Sequence, residues 1–285
     1  MRLILSRKGF DSQNGGVPSP ILPDGRMCSL PIPDGSSQIS YADISWDELN
    51  LGQVVADLTD NRIRSSTRAH LDPDINPAAL GRRNGWLGLL GPSRPAYTHL
   101  KRCGVTEGDL FLFFGWFRQT EWREDRLRFV PAAPDLHVLF GWLKVAAIKS
   151  VEQFSAQERR WADYHPHFAP DRKDDEIVCL ARQEMALPKV RRTYPGFGVF
   201  PKFDPMLCLT APIASRSRWQ LPRWFYPSRG RTPLSCHADI RRWRRAKNWT
   251  YLDSVPVGQE FVLDCREYPE AYGWLAELLD DVDEV

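Results

Sequence analysis

The chain has 285 residues, 42% of them apolar and 26% charged, which places it among folded globular proteins and excludes a disordered chain. Its 38 basic and 36 acidic residues leave a net charge of +2, yet residues 189–247 hold 14 basic and 2 acidic side chains. That concentration points to a polyanionic partner, nucleic acid or nucleotide.

In chain order, residues 2–5 form a short apolar strand. The strand runs into SRKGFDSQNGGVPSPILPDGRMCSLPIPDG, with five prolines before Asp34 and glycines at 9, 15, 16, 25 and 35. Such a stretch cannot be helical, and Phe10, Ile21, Leu22, Leu30 and Ile32 are too large and apolar for a plain linker. Long ordered loops of this kind are usually functional. Residues 41–103 read as interrupted helix: Ser45-x-x-Glu48 has the form of a capping box for a helix over 46–58, and a second helix spans 95–103, stopped by Gly104. Residues 105–150 read as sheet, with apolar runs over 109–117 and 136–148. Ser155-x-x-Glu158 caps a short helix reaching about Tyr164. Strands follow at 177–181 and 260–264, and an amphipathic helix runs over about 267–279 before an acidic end. These apolar runs fall short of the roughly 20 residues of a spanning helix, so no membrane partner is expected. The six cysteines are scattered without a C-x-x-C pair, which argues against a zinc ribbon or disulfide scaffold and fits mostly buried thiols in a cytoplasmic protein.

Candidate site residues cluster at three places. Ser6, Arg7, Lys8 and Gly9 leave the first strand, where polar groups at a strand end suit a binding site. Arg7 and Lys8 offer charge to a phosphate, Gly15, Gly16 and Ser19 offer amides and a hydroxyl, and Asp11 and Asp24 offer a general base. The alternative for the glycines and aspartates is turn chemistry. In His70-Leu71-Asp72-Pro73-Asp74, three ligand-type residues at alternate positions share a face when extended. We read His70 and Asp72 as proton-transfer candidates and the rest as a turn. His165-Pro166-His167 has no evident third ligand, so no metal is assigned, and no cofactor follows from the sequence. Third, Arg216, Arg218, Arg223, Arg241, Arg242, Arg244 and Arg245 interleave with Trp219, Trp224, Phe225 and Trp243, a pattern suited to nucleic-acid backbone and bases. No G-x-S-x-G, P-loop or zinc-deaminase signature is present.

Two resemblances add to this. Val105 to Gly115 and Leu139 to Ile148, a Gly-Asp turn launching an apolar strand and a glycine-bearing partner, resemble the barrel of the PUA-like superfamily (EVE and ASCH domains). That resemblance implies nucleic-acid binding, with Phe114 and Trp116 as stacking faces around a base. The string SRKGFDSQNGGVPSPILPDGRMCSLPIPD, continued by HLDPD (70–74), GDLFLFFGWFR (108–118), FGWLKV (140–145), PGFGVFPKFDP (195–205) and GQEFVLD (258–264), resembles the third nucleotide modification associated domain family. That family belongs to bacterial and phage gene sets linked to hypermodified DNA bases. The resemblance implies a role in base modification, alone or beside partner proteins of such a system, and supplies no settled reaction. The expectation is one α+β domain over 1–285, a mixed sheet or small PUA-like barrel packed with short helices, with 105–150 at its centre and a basic segment over 189–250. It would be a base- or nucleotide-modifying enzyme or, alternatively, a non-catalytic reader of modified bases.

Overall fold

The computed structural model describes residues 1–169, 176–228, 230–256 and 258–280. A nine-stranded mixed sheet forms its centre. Its strands are β1 (Arg2–Arg7), β2 (Ser19–Ile21), β3 (Leu89–Leu90), β4 (Leu110–Arg123), β5 (Arg126–Phe129), β6 (Leu136–Ser150), β7 (Ile177–Ala181), β8 (Phe197–Val199) and β9 (Glu260–Asp264). The main path runs β9-β1-β4-β6-β7-β3, with β2 and β5 added to β4 and β8 added to β6. The path is open, so the sheet alternative of the α+β expectation holds and the closed PUA-like barrel does not.

The sequence explains the centre. Leu110 to Gly115 is apolar at every position because β4 is paired on both edges and covered on both faces, so period-two alternation would bury polar groups. The β4–β6 register shifts between Leu139 and Gly141, where the second apolar run carries its glycine.

Four helices pack around the sheet: α1 (Leu51–Leu58), α2 (Arg94–Arg102), α3 (Ala156–Ala162) and α4 (Ala271–Asp280). The α3 capping box forms as expected, with Ser155 Oγ accepting from Glu158 N–H and the Glu158 carboxylate accepting from Ser155 N–H. The start of α1 differs. Ser45–Trp46 pairs with Leu49–Asn50 around Asp47, which sits at φ +51°, and Asn50 caps the helix by accepting from Gly52 N–H. A tight hairpin with its own cap thus displaces the apparent capping box.

The proline- and glycine-rich N-terminal stretch is ordered because it has its own core. Phe10, Leu22 and Leu30 pack with Tyr41, Trp46 and the inner face of α1. The basic segment forms a separate three-stranded sheet, Arg218–Pro222, Trp249–Asp253 and Trp243–Arg245, with Trp219 and Trp243 turned into the main core. Among the described residues no helix is long and apolar enough to cross a membrane, and all six cysteines are unbridged.

Candidate functional site

β1 is parallel to β4, with Ser6 opposite Phe113 and Arg7 opposite Phe114, so its polar end emerges where the apolar centre stops. The chain then turns at Gly9, at φ +82°, where a Cβ would lie 3.0 Å from Ser29 Oγ and 3.1 Å from the Leu30 carbonyl oxygen. Glycine is required there by both backbone angle and space. The turn opens one wall of a cleft of about 420 Å3.

Four segments meet in that cleft. Arg7 ends β1 and Lys8 and Asp11 follow it, while His70 ends the short Ile32–Pro33/Ala69–His70 ribbon and Asp72 lies just beyond. Ser93 and Arg94 come from the start of α2, and His167 from the turn Pro166–Phe168. Lys8 Nζ lies 3.3 Å from Glu260 and 3.9 Å from Asp72, and all three side chains are nearly closed to solvent. Burial disfavours the Lys8 ammonium, but Glu260 and Asp72 outweigh it and hold its pKa above the ordinary lysine value. Burial likewise disfavours the Asp72 carboxylate. Here His165, 3.5 Å away, Lys8 and His167 outweigh it, so Asp72 stays ionised well below the usual carboxylate range.

The histidines are oriented by carboxylates. His70 Nδ1 is 2.7 Å from Asp34 Oδ2, and His167 Nδ1 is 3.0 Å from Glu176 Oε2. Gly91 ties the parts together: its N–H donates to Asp72 Oδ1 at 2.6 Å, and a Cβ there would lie 2.1 Å from the His167 ring. His70, Asp72 and His167 each present a ligand-type atom, all within 4.8 Å of one another, so these residues could hold a metal ion.

The structure sorts the expected residues. Arg7, Lys8, Gly9, Asp11, His70 and Asp72 line the cleft. Arg7 is held by donating to the carbonyls of Pro256 and Val255, and its side chain packs over Phe114 and Phe261. Burial, then the Arg216 charge, lowers its pKa from the ordinary value. The Asp11 carboxylate accepts from the backbone of Gln13 and Asn14, which makes it the cap of its own turn.

Other expected residues lie elsewhere. Asp24 is half exposed and paired with Arg26. Gly15 presses against Phe10, Gly16 lies near Arg62, and buried Ser19 Oγ accepts from Leu30 N–H. Ser6 is buried at the strand end beside the cleft, with its hydroxyl unpaired. Phe114 is wholly buried against His137, Trp219 and Phe261, and Trp116 carries the Arg216 guanidinium at 4.1 Å. Neither lines the cleft: Phe114 fills the centre of the two-faced sheet, and half-buried Trp116 is covered by Arg216. Asp74 is fully buried and taken by Arg82 and Tyr164.

The basic segment is only partly available for a polyanion. Arg218 pairs with Asp253, Arg241 with Asp239, and Arg242 donates to the Asp253 carbonyl. Arg223, Arg244 and Arg245 are exposed or partly exposed, Arg245 lying over Tyr226. Arg218, Arg242 and Arg244 line a second hollow of about 290 Å3.

A sequence profile of nucleotide modification associated domain 3 matches residues 2–264. The chain belongs to that family. No curated protein and no solved structure matches it. In this nucleotide modification associated domain the match takes in the whole sheet and the cleft, and only α4 and the residues around it lie beyond. Sequence reasoning passed over Gly91, Asp34 and Glu176, and treated His167 as half of an isolated pair. Only the fold brings these together, although H-x-D at 70–72 with a distant histidine was a signal open to use.

Proposed function

We propose that this protein is an enzyme of nucleotide or nucleic-acid base modification and that its reaction takes place in the cleft of Lys8, His70, Asp72 and His167. The observation that carries the reading is the meeting of buried charge and proton-transfer groups in one hollow. Its 420 Å3 falls in the size range of small-molecule sites.

Arg7 and Lys8 supply fixed positive charge for a phosphate, and the start of α2, with Ser93 and Arg94 in the lining, adds the positive end of a nine-residue helix. In the same cleft two imidazoles, each backed by a carboxylate, suit general acid–base work, since the carboxylate fixes the tautomer and orients the ring. Beside this wall Ser6 Oγ and Glu260 Oε2 are buried without a hydrogen-bond partner, and Glu260 Oε1 and His165 Nε2 have only ion-pair contacts, to Lys8 and Asp72. Native cores seldom leave such atoms unpaired outside functional sites. The reader alternative is less favoured, because among the described residues the lining holds no Phe, Tyr or Trp.

The test is mass spectrometry of nucleosides after incubating the purified protein with nucleotides and with DNA. A mass-shifted product is expected. Asp72→Asn and His70→Gln should each lower its formation by about 10²–10⁴-fold, the usual worth of a positioned acid or base, with both variants still folded by circular dichroism. Undiminished product from both folded variants would remove the cleft as the reaction site.

A further inference from the structure

The same cleft wall carries a more specific chemistry. His70, Asp72 and His167 come from two separate segments, and each brings a donor atom to within 4.8 Å of the other two. Bonds of about 2.1 Å to imidazole nitrogen and carboxylate oxygen set neighbouring ligands about 3.0–3.4 Å apart around a first-row ion. A small rotation of these side chains therefore closes the set.

The surroundings are built as metal-binding histidines need. Each imidazole has Nδ1 against a carboxylate, His70 on Asp34 at 2.7 Å and His167 on Glu176 at 3.0 Å. That contact keeps the proton on Nδ1, makes Nε2 the basic nitrogen and raises its strength as a donor. Asp34 and Glu176 also add negative charge behind the two rings. The Asp72 carboxylate is oriented by the Gly91 N–H at 2.6 Å, and the absence of a side chain at Gly91 makes room for the His167 ring. Beside the set, fully buried His165 places its Nε2 3.5 Å from Asp72 Oδ1 and gives that nitrogen no hydrogen-bond partner.

We propose that His70, Asp72 and His167 bind one divalent first-row transition-metal ion on the cleft wall, with its remaining coordination positions toward the cleft. Two imidazoles and one carboxylate select such an ion over Mg2+ or Ca2+, which prefer all-oxygen sets. Three protein ligands leave places for water or substrate, the arrangement of a catalytic rather than a structural site. The inference deepens the cleft reading in what the ion would act on, but binding of the ion stands apart from any nucleotide.

The experiment titrates Co2+ into the chelator-treated full chain without nucleotide, following visible absorption and melting temperature. The expected result is one Co2+ per chain, a visible ligand-field band and a rise in melting temperature. Zn2+ displaces the Co2+, and millimolar Mg2+ does not. His70→Ala and His167→Ala should each weaken binding by 100-fold or more. Gly91→Ala, which crowds His167 without removing a ligand, should weaken it by about 10–100-fold. If His167→Ala does not fold, His70→Gln and Asp72→Asn take its place, with apo circular dichroism as the folding check. No Co2+ uptake by the wild-type chain, or equal uptake by folded His70 and Asp72 variants, overturns the metal site. Product formation by metal-free protein in the nucleoside assay would leave the cleft reading standing, so the two failures are distinguishable.

Discussion

Asp72 is almost closed to solvent beside Lys8 and His165, whereas the Asp24 side chain is half exposed and bound to Arg26. The same carboxylate therefore has different value at the two places. Asp24→Ala should change stability by no more than about 0.5 kcal/mol, as surface substitutions do, and leave product formation intact. Asp72→Ala removes the acceptor of the Gly91 N–H and one of two anions facing buried Lys8, and should cost about 1–3 kcal/mol. Urea unfolding of the two variants checks both figures. A costly Asp24→Ala or a neutral Asp72→Ala would contradict this ranking. Sequence alone could not rank them, because both sit in Asp-Gly or Asp-Pro turns and only burial separates them.

At the scale of elements, the N-terminal stretch works as a shaped wall because Phe10 and Leu30 anchor it on the core above α1. Gly15, at φ +91°, lies against Phe10 so closely that a Cβ would be 2.2 Å from its ring. Gly15→Ala should cost about 1–3 kcal/mol through strain and overpacking, seen as a lower urea midpoint. An unchanged midpoint would mean that the loop is looser than described.

The elements that sequence revealed share a physical cause. β4, β6 and β9 are strong runs whose apolar content leaves no other pairing, and α3 carries its own capping box. Those it missed depend on distant partners. The beginning of α1 was hidden because a hairpin around Asp47 uses residues that also fit a helix start. His167 was hidden because its meaning comes from Asp72 and Gly91, which tertiary packing brings from another segment. Phe114 was over-read because an aromatic strand looks the same whether it lines a pocket or fills a core.

For the whole molecule, two buried histidines tie stability to pH. Burial, with Arg7 and Arg216 adding to it, lowers the His137 pKa to about 3, and its Nδ1 accepts from Trp219. Burial, with Arg242 and Arg7 adding to it, lowers that of His237 to about 4, and its Nε2 accepts from Val255 N–H. In the unfolded chain both take up protons near pH 6.5, while in the folded chain they stay neutral until far lower pH. The unfolded state therefore binds more protons in that window, and stability falls as pH drops from about 6.5 toward 4. The limiting slope is about 1.4 kcal/mol per pH unit for each histidine. Urea unfolding from pH 7 to 4.5 should show the loss, and His137→Gln should flatten it. Constant stability across the range would refute the linkage.

The charge distribution belongs to the same scale. If the basic three-stranded sheet grips a nucleic-acid backbone, DNA affinity should fall with salt by a log–log slope of about 0.7–0.9 per phosphate contact. Replacing Arg244 and Arg245 with alanine should reduce that slope by about two contacts. A salt-independent affinity would leave the sheet with another task.

On the proposed function, nucleotide chemistry happens beside Lys8, His70 and Asp72, apart from the basic sheet. Hydrogen–deuterium exchange with and without a saturating nucleoside 5′-monophosphate tests it most directly. Slower exchange is expected at residues 7–11, 70–72, 91–95 and 165–168. Protection confined to residues 211–253, with the cleft segments unchanged, would contradict it.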